Sequence, residues 1–218
     1  MNADSMTRTL YPSSLRLLLG ALTVAGLAAC TQAPETTADS FHAPMQDYLA
    51  KRGDLCLAKT AWPIDVTQHE IDVGARNARQ MPVLERLGLA SSSVADIDVD
   101  DEGTPHHLKV RRFELTEAGR KYYIAHDGAG GARQDFCAAR LSLDRVVGFD
   151  LRSTANGRQQ AVVSYTYRVD PAPWTEDAEI RKVFPMVATV VQGAGSAQLQ
   201  ETFAQTDKGW VAVDLLGS

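Results

Sequence analysis

A short apolar run near the start constrains this chain more than any other feature. Leu17 to Leu27 is eleven residues of apolar and small side chains, with Thr23 the one polar member. A membrane-crossing helix takes ~20 such residues, so the run is too short to be a stable span. Its length is that of a secretory leader's apolar region. Arg8 and Arg16 supply the basic lead, and Ala28 and Ala29 the small residues that follow. A start at Met6 would drop Asp4 from that lead and leave the argument unchanged. No other apolar run approaches eighteen residues.

Leu27-Ala28-Ala29-Cys30 resembles the lipobox of bacterial lipoproteins: a branched apolar residue, two small residues, and the cysteine that takes the lipid. The resemblance covers about the first thirty residues. It implies that residues 1–29 are a signal peptide, that Cys30 carries a diacylglyceryl thioether, and that its freed amine is acylated. Several acyl chains at ~0.8 kcal/mol per buried CH₂ make attachment effectively permanent. Thr31 stands where an aspartate would favour inner-membrane retention, so the resemblance leans toward the outer membrane, facing the periplasm. The other reading of the run is a buried helix with a chance cysteine.

Without its first 29 residues the chain has 189, enough for one generous domain or two small ones. Arg8, Arg16 and Asp4 go with the leader, leaving 20 basic and 26 acidic residues, net −6. A mildly acidic chain is a poor binder of a phosphate backbone, so no nucleic-acid partner is expected. With Cys30 lipidated, Cys56 and Cys137 become an even pair in an oxidising compartment. A disulfide between them would close a long loop, roughly 4 kcal/mol in the chain-entropy picture. The alternative is two separate buried thiols acting as small hydrophobes.

Residues 30–40 form the lipidated tether, since TQAPETTADS has no large apolar side chain. Ser40 then predicts a helix over FHAPMQDYLAKR, with Phe41, Met45, Tyr48 and Leu49 on one side, Pro44 in its first turn and Gly53 ending it. A short strand is expected over Pro63–Thr67, and a helix over 75–88 on Ala78, Met81, Leu84 and Leu87. Pro82 would kink that helix or open a second one. Val94–Val99 and Leu108–Leu115 flank the turn residues of DDEGTPHH as a loose hairpin. Thr116 is a candidate N-cap for the turn after it.

From helix through hairpin to LTEAGR, about residues 75–123 resemble the second half of a winged helix in bacterial repressors. The departures are in the chemistry. The wing tip DVDDEG is acidic where a phosphate-contacting wing carries Lys or Arg. Arg76, Arg79 and Arg86 make no clear recognition face, and the lipobox puts the body where there is no genome. The stretch therefore reads as a reused scaffold. Arg111, Arg112, Arg120 and Lys121 form either a basic patch or a solvated face paired with nearby acids.

IAHDGAGGARQDF reads as a linker between halves, because its glycines lack the rest of a phosphate-loop motif. Beyond it the pattern is antiparallel β. Leu141, Leu143, Val147, Phe149 and Leu151 alternate, with Arg145 breaking the series. Asn156-Gly157 marks a turn. Val163, Tyr165, Tyr167 and Val169 share one face. Thr175 is a candidate cap for a helix with Ala178, Ile180 and Val183 buried, closed by Pro185. Ala197–Thr206 and Trp210–Leu215 form a hairpin around Asp207-Lys208-Gly209. Tyr165, Tyr167 and Trp174 are candidate ligand-binding residues, although tryptophans such as Trp174 and Trp210 are more often core anchors.

No catalytic set is legible. His42, His69, His106, His107 and His126 show no zinc-ligand spacing. Asp65, His69 and Glu70 make only a loose acid–base group, and ASSSV lacks a nucleophile frame. Asp96, Asp98, Asp100 and Asp101 lack the later glutamate of a calcium loop and read as a solvated turn. No metal or cofactor is indicated. The fold class expected is α+β, a winged-helix-like half over 41–126 packed with an antiparallel β-sheet half over 133–218. The role expected is a non-catalytic, membrane-anchored module binding a protein or envelope partner. A small-ligand binder with a pocket between sheet and helix is the alternative, and an envelope hydrolase a third.

Overall fold

Two antiparallel sheets organise the protein, and the chain passes between them twice. The computed structural model describes residues 35–101, 104–128 and 131–217. Cys30, the leader expected before it and the expected tether up to residue 34 lie outside the described residues. The larger sheet has six strands: β1 (Asp54–Cys56), β5 (Tyr123–Gly128), β6 (Gly131–Ser153), β7 (Gln159–Pro171), β8 (Gln198–Thr206) and β9 (Gly209–Ala212). They run in the order β1-β6-β7-β8-β9, with β5 also paired to β6. The smaller sheet has the order β2-β4-β3, from β2 (Ile64–Thr67), β3 (Ala90–Asp101) and β4 (Thr104–Leu115). Helices α1 (His42–Arg52), α2 (Gln68–Asp72), α3 (Arg76–Arg86), α4 (Glu117–Arg120), α5 (Ala178–Val183) and α6 (Pro185–Gln192) complete a mixed α+β fold.

Helix α1 packs on the larger sheet, far from its sequence neighbours. Phe41, Met45 and Leu49 recur at helical spacing and are all buried, against Leu143, Val163, Tyr165, Tyr167 and Phe203. Phe41 meets the rings of Phe149 and Trp210 at 5.0 Å each and Phe203 at 6.0 Å. Burial of side chains this size stabilises by ~1.5–3 kcal/mol each. Gly53 ends the helix where α1 touches β6: a Cβ there would lie 2.4 Å from the Leu49 carbonyl oxygen and 2.5 Å from that of Leu141.

Helix α3 fills the other core. Met81 and Leu84 are fully buried with Val66, Phe113 and Leu115 of the small sheet, and with Phe136, Trp174 and Ile180 from the second half of the chain. The helix runs through Pro82 without a break in its span. Thr116 caps α4, accepting the Gly119 N–H at 3.1 Å and donating to the Gly88 carbonyl at 2.6 Å. A Cβ on Gly119 would sit 1.9 Å from the Leu89 carbonyl oxygen, so only glycine fits this close approach.

Several expectations need correction. The glycine-rich stretch is no linker: Tyr123 pairs with Phe136 and Gly128 with Gly131, so β5 and β6 form a hairpin. Helix α5 ends at Val183, just before Pro185 as the sequence predicts, and Pro185 also starts a further helix, α6, where its missing N–H costs nothing. Asp177, not Thr175, caps α5, accepting the N–H groups of Glu179 and Ile180 at 2.9 and 3.2 Å. The strand series is also phased differently. Bulges at Asp144 and Val147 place Leu143, Val146 and Phe149 opposite inward-facing Tyr167, Tyr165 and Val163, and leave Val147 outside.

Candidate functional site

Several hollows among the described residues carry polar side chains, and two of them adjoin unusual backbone geometry. The first lies beside the β3–β4 hairpin. Thr67 and Glu70 form a capping box that turns the chain from β2 into α2: the Thr67 hydroxyl accepts the Glu70 N–H, and the Glu70 carboxylate accepts the Thr67 N–H at 2.8 Å. This sets α2 alongside β4 and opens a groove of about 660 Å³ lined by Val66, Ile71, Ser92, Val94, Lys109 and Arg111 among others. Ile71 is 45% exposed and Val94 72%, so the groove shows apolar surface to solvent.

The backbone of β3 points the same way. Ser92 gives its N–H to Glu85 Oε1 of α3 at 3.1 Å, so that N–H turns away from β4. In an antiparallel pair this orientation repeats every second residue. Val94, Asp96 and Asp98 therefore turn their N–H and C=O groups outward along an edge that no described strand covers. β2 pairs only with residues 110–113 of β4, so the outer part of the hairpin is a two-stranded ribbon. Its cations are largely committed. Arg111 donates to Glu85 Oε2 at 2.5 Å and to Ser92 Oγ at 2.9 Å, with its guanidinium 4.9 Å from the Phe113 ring centre. Arg112 binds Asp65 through two 2.7 Å bonds, which hold that carboxyl below its usual range. His107 contacts Asp98.

The second place lies beside the core that α3 fills. Ala58 adopts φ 56°, which turns the N–H groups of Ala58 and Lys59 onto the Asp135 carboxylate at 3.1 and 2.7 Å. Asp135 also accepts the Phe136 N–H at 2.7 Å. This buries the Lys59 side chain, whose Nζ donates to Asn77 Oδ1 at 2.7 Å and Gln80 Oε1 at 2.8 Å. Gln80 passes the contact on, its Nε2 donating to the Val183 carbonyl at 2.8 Å. Burial, with Arg76 adding to it and Asp135 opposing, pushes the Lys59 ammonium down to about 8.

The candidate ligand-binding residues from sequence fall elsewhere. Cys56 and Cys137 are cross-strand partners of β1 and β6, and their sulfurs stand at bonding distance, 2.01 Å. Tyr165 and Tyr167 pack in the core under α1, where the Tyr167 hydroxyl donates to the Val190 carbonyl at 3.0 Å. Trp174 lies in the other core, among Tyr122 and Phe136. The three do not converge. His69 and Glu70 share α2, and Asp65 is turned to Arg112. Lys59 and Asp135 escaped the sequence reading because no local pattern marks either one; the contact between them depends on a fold that joins residues 76 apart. Comparison with protein-family models, with characterised proteins and with solved structures gave no match.

Proposed function

We propose that this is a membrane-anchored lipoprotein facing the periplasm, held to the outer membrane through acyl chains on Cys30, and that its body binds an envelope protein without catalysing a reaction. The lipobox residues support the anchor, and a cysteine pair at bonding distance suits an oxidising compartment. The order β2-α2-α3-β3-β4, with the first strand beside the last, supports reading the smaller unit as winged-helix-like. Its use here is contact with protein rather than DNA, because Arg111 and Arg112 are tied to Glu85 and Asp65.

The outward edge of β3 carries the proposal. An extended partner segment adds alongside Val94–Asp98, taking main-chain bonds from the edge and resting apolar side chains in the adjoining groove. Exposed Asp96 and Asp98 fit a segment bearing Lys or Arg at alternate positions. A whole-cell crosslinking pull-down tests this. Val94→Pro removes an outward N–H and no bond to β4, so it abolishes partner recovery in a folded protein. Cys30→Ala lowers recovery by releasing the body from the membrane. Undiminished recovery with Val94→Pro refutes the edge, and undiminished recovery with Cys30→Ala refutes the organising role of the anchor. A second reading, small-ligand binding, is favoured by the cleft at Gln80 rather than by the aromatic residues picked from sequence.

A further inference from the structure

We infer that the cleft between the first turn of α3 and the α5–α6 corner binds an anionic amphiphile, a carboxylate or phosphate head on a single apolar chain. This rests on the second reading above and not on the β3 edge. Two contiguous hollows make the cleft, sharing Arg76, Gln80, Val183 and Pro185. The smaller, about 130 Å³, is walled by Arg76, Arg79 and Lys182. The larger, about 340 Å³, runs over Leu55, Leu57, Phe184, Met186 and Val187, within the ~300–1,000 Å³ of small-molecule sites.

Charge and shape here oppose the rest of the molecule. The chain is acidic overall, net −5, yet neither hollow is lined by an aspartate or glutamate. Lys182 is offset by Glu179 at 2.6 Å, whereas Arg76 and Arg79 have no carboxylate partner among the described residues. Behind them lies the buried Lys59, bound to neutral amide oxygens, and Asp135 spends its oxygens on backbone N–H groups. The Gln80 amide is fixed at both ends, so the wall between head and chain is rigid. Ala75 caps α3 with no side-chain bond and the first turn has no acid, so neither the cap nor the first turn neutralises this end. Met186, 69% exposed, stands at the apolar mouth, where a flexible side chain adapts to a bound alkyl chain.

Titration calorimetry on the full chain carrying Cys30→Ala, hence free of its own acyl chains, tests this with three probes. Dodecanoate supplies anion and chain, octyl glucoside chain alone, inorganic phosphate anion alone. Dodecanoate is expected to bind saturably and at least tenfold more tightly than either other probe. Arg76→Gln with Arg79→Gln, both exposed on α3, weakens it about tenfold or more, and so does Met186→Asp, while the thermal melt shows each variant folded. Val94→Pro leaves dodecanoate binding unchanged, which separates this site from the β3 edge. Equal binding of octyl glucoside or of phosphate overturns the amphiphile assignment. Unaltered binding by the folded arginine pair variant overturns the site.

Discussion

The two cores are built from similar residues and finished differently. Under α1, the larger sheet is closed on its inner face: Phe41, Phe203 and Tyr167 are at most 2% exposed. Across β7 and β8 its outer face is polar, with Gln198, Gln200 and Ser164, and Gln200 donating to Ser164 at 3.2 Å, while on β6 Val147 is 44% exposed. The smaller sheet is packed by α3 only along its inner part. Its hairpin runs on past β2, its edge strand is uncovered, and Val94, Ile71 and Val73 are exposed. Sheets that leave a long edge open usually guard it with charge. Here Asp96 and Asp98 do so while Val94 does not. The contrast separates a scaffold from a surface that presents itself.

If the closed core is the scaffold, its loss has the largest effect. Phe41→Ala is expected to cost ~3–5 kcal/mol, read from urea unfolding, because Phe149, Phe203 and Trp210 lose the ring they pack against. A cost below ~1 kcal/mol would mean that α1 is dispensable and the two regions do not differ. Next comes a pair of adjacent prolines on β3. Ala95→Pro removes a bond to β4 and costs ~3 kcal/mol, whereas Val94→Pro, on the outward edge, costs ~1 kcal/mol or less. Equal costs would show that the edge assignment is out of register.

The buried cation beside the α3 core has its own signature. The Lys59 ammonium is held at about 8 against 10.5 in the unfolded chain. Between those values the unfolded state binds more protons, so stability from this group rises as pH rises from about 8 toward 10.5. From pH 7 to 9.5 the gain is about 2 kcal/mol, taken as the difference between the wild type and Lys59→Met, which cancels the other titrating groups. A flat difference would mean Lys59 is solvated. The smallest effect belongs to the surface: Arg112→Ala costs ~1 kcal/mol or less, since its pairing with Asp65 is partly exposed.

What the sequence made legible follows from how local each signal was. Helices α1 and α3 were readable because Phe41, Met45 and Leu49, and Met81 and Leu84, recur at helical spacing. Thr116 announced its own cap. The β5–β6 hairpin was not readable: its glycines carry no cross-strand pattern, and pairing of Tyr123 with Phe136 is a tertiary fact. Helix α6 was hidden by its β-branched Val187, Thr189, Val190 and Val191, whose local preference for strand is overridden by packing against Tyr167 and Phe136. The two bulges in β6 shift which residues face inward, so simple alternation chose Val147 where Val146 packs. Docking of α1 on β9 and β6 joins opposite ends of the chain and has no local sign at all. Both candidate surfaces share that handicap, since each is assembled from segments distant in sequence.

Site-specific photo-crosslinking in whole cells tests the division between scaffold and presenting surface most directly. A photoreactive residue at position 94, on the open edge of β3, is compared with one at position 200, exposed on the outer face of the larger sheet. The account predicts a discrete protein adduct from position 94 and none from position 200. An adduct from position 200 with none from position 94 would contradict it.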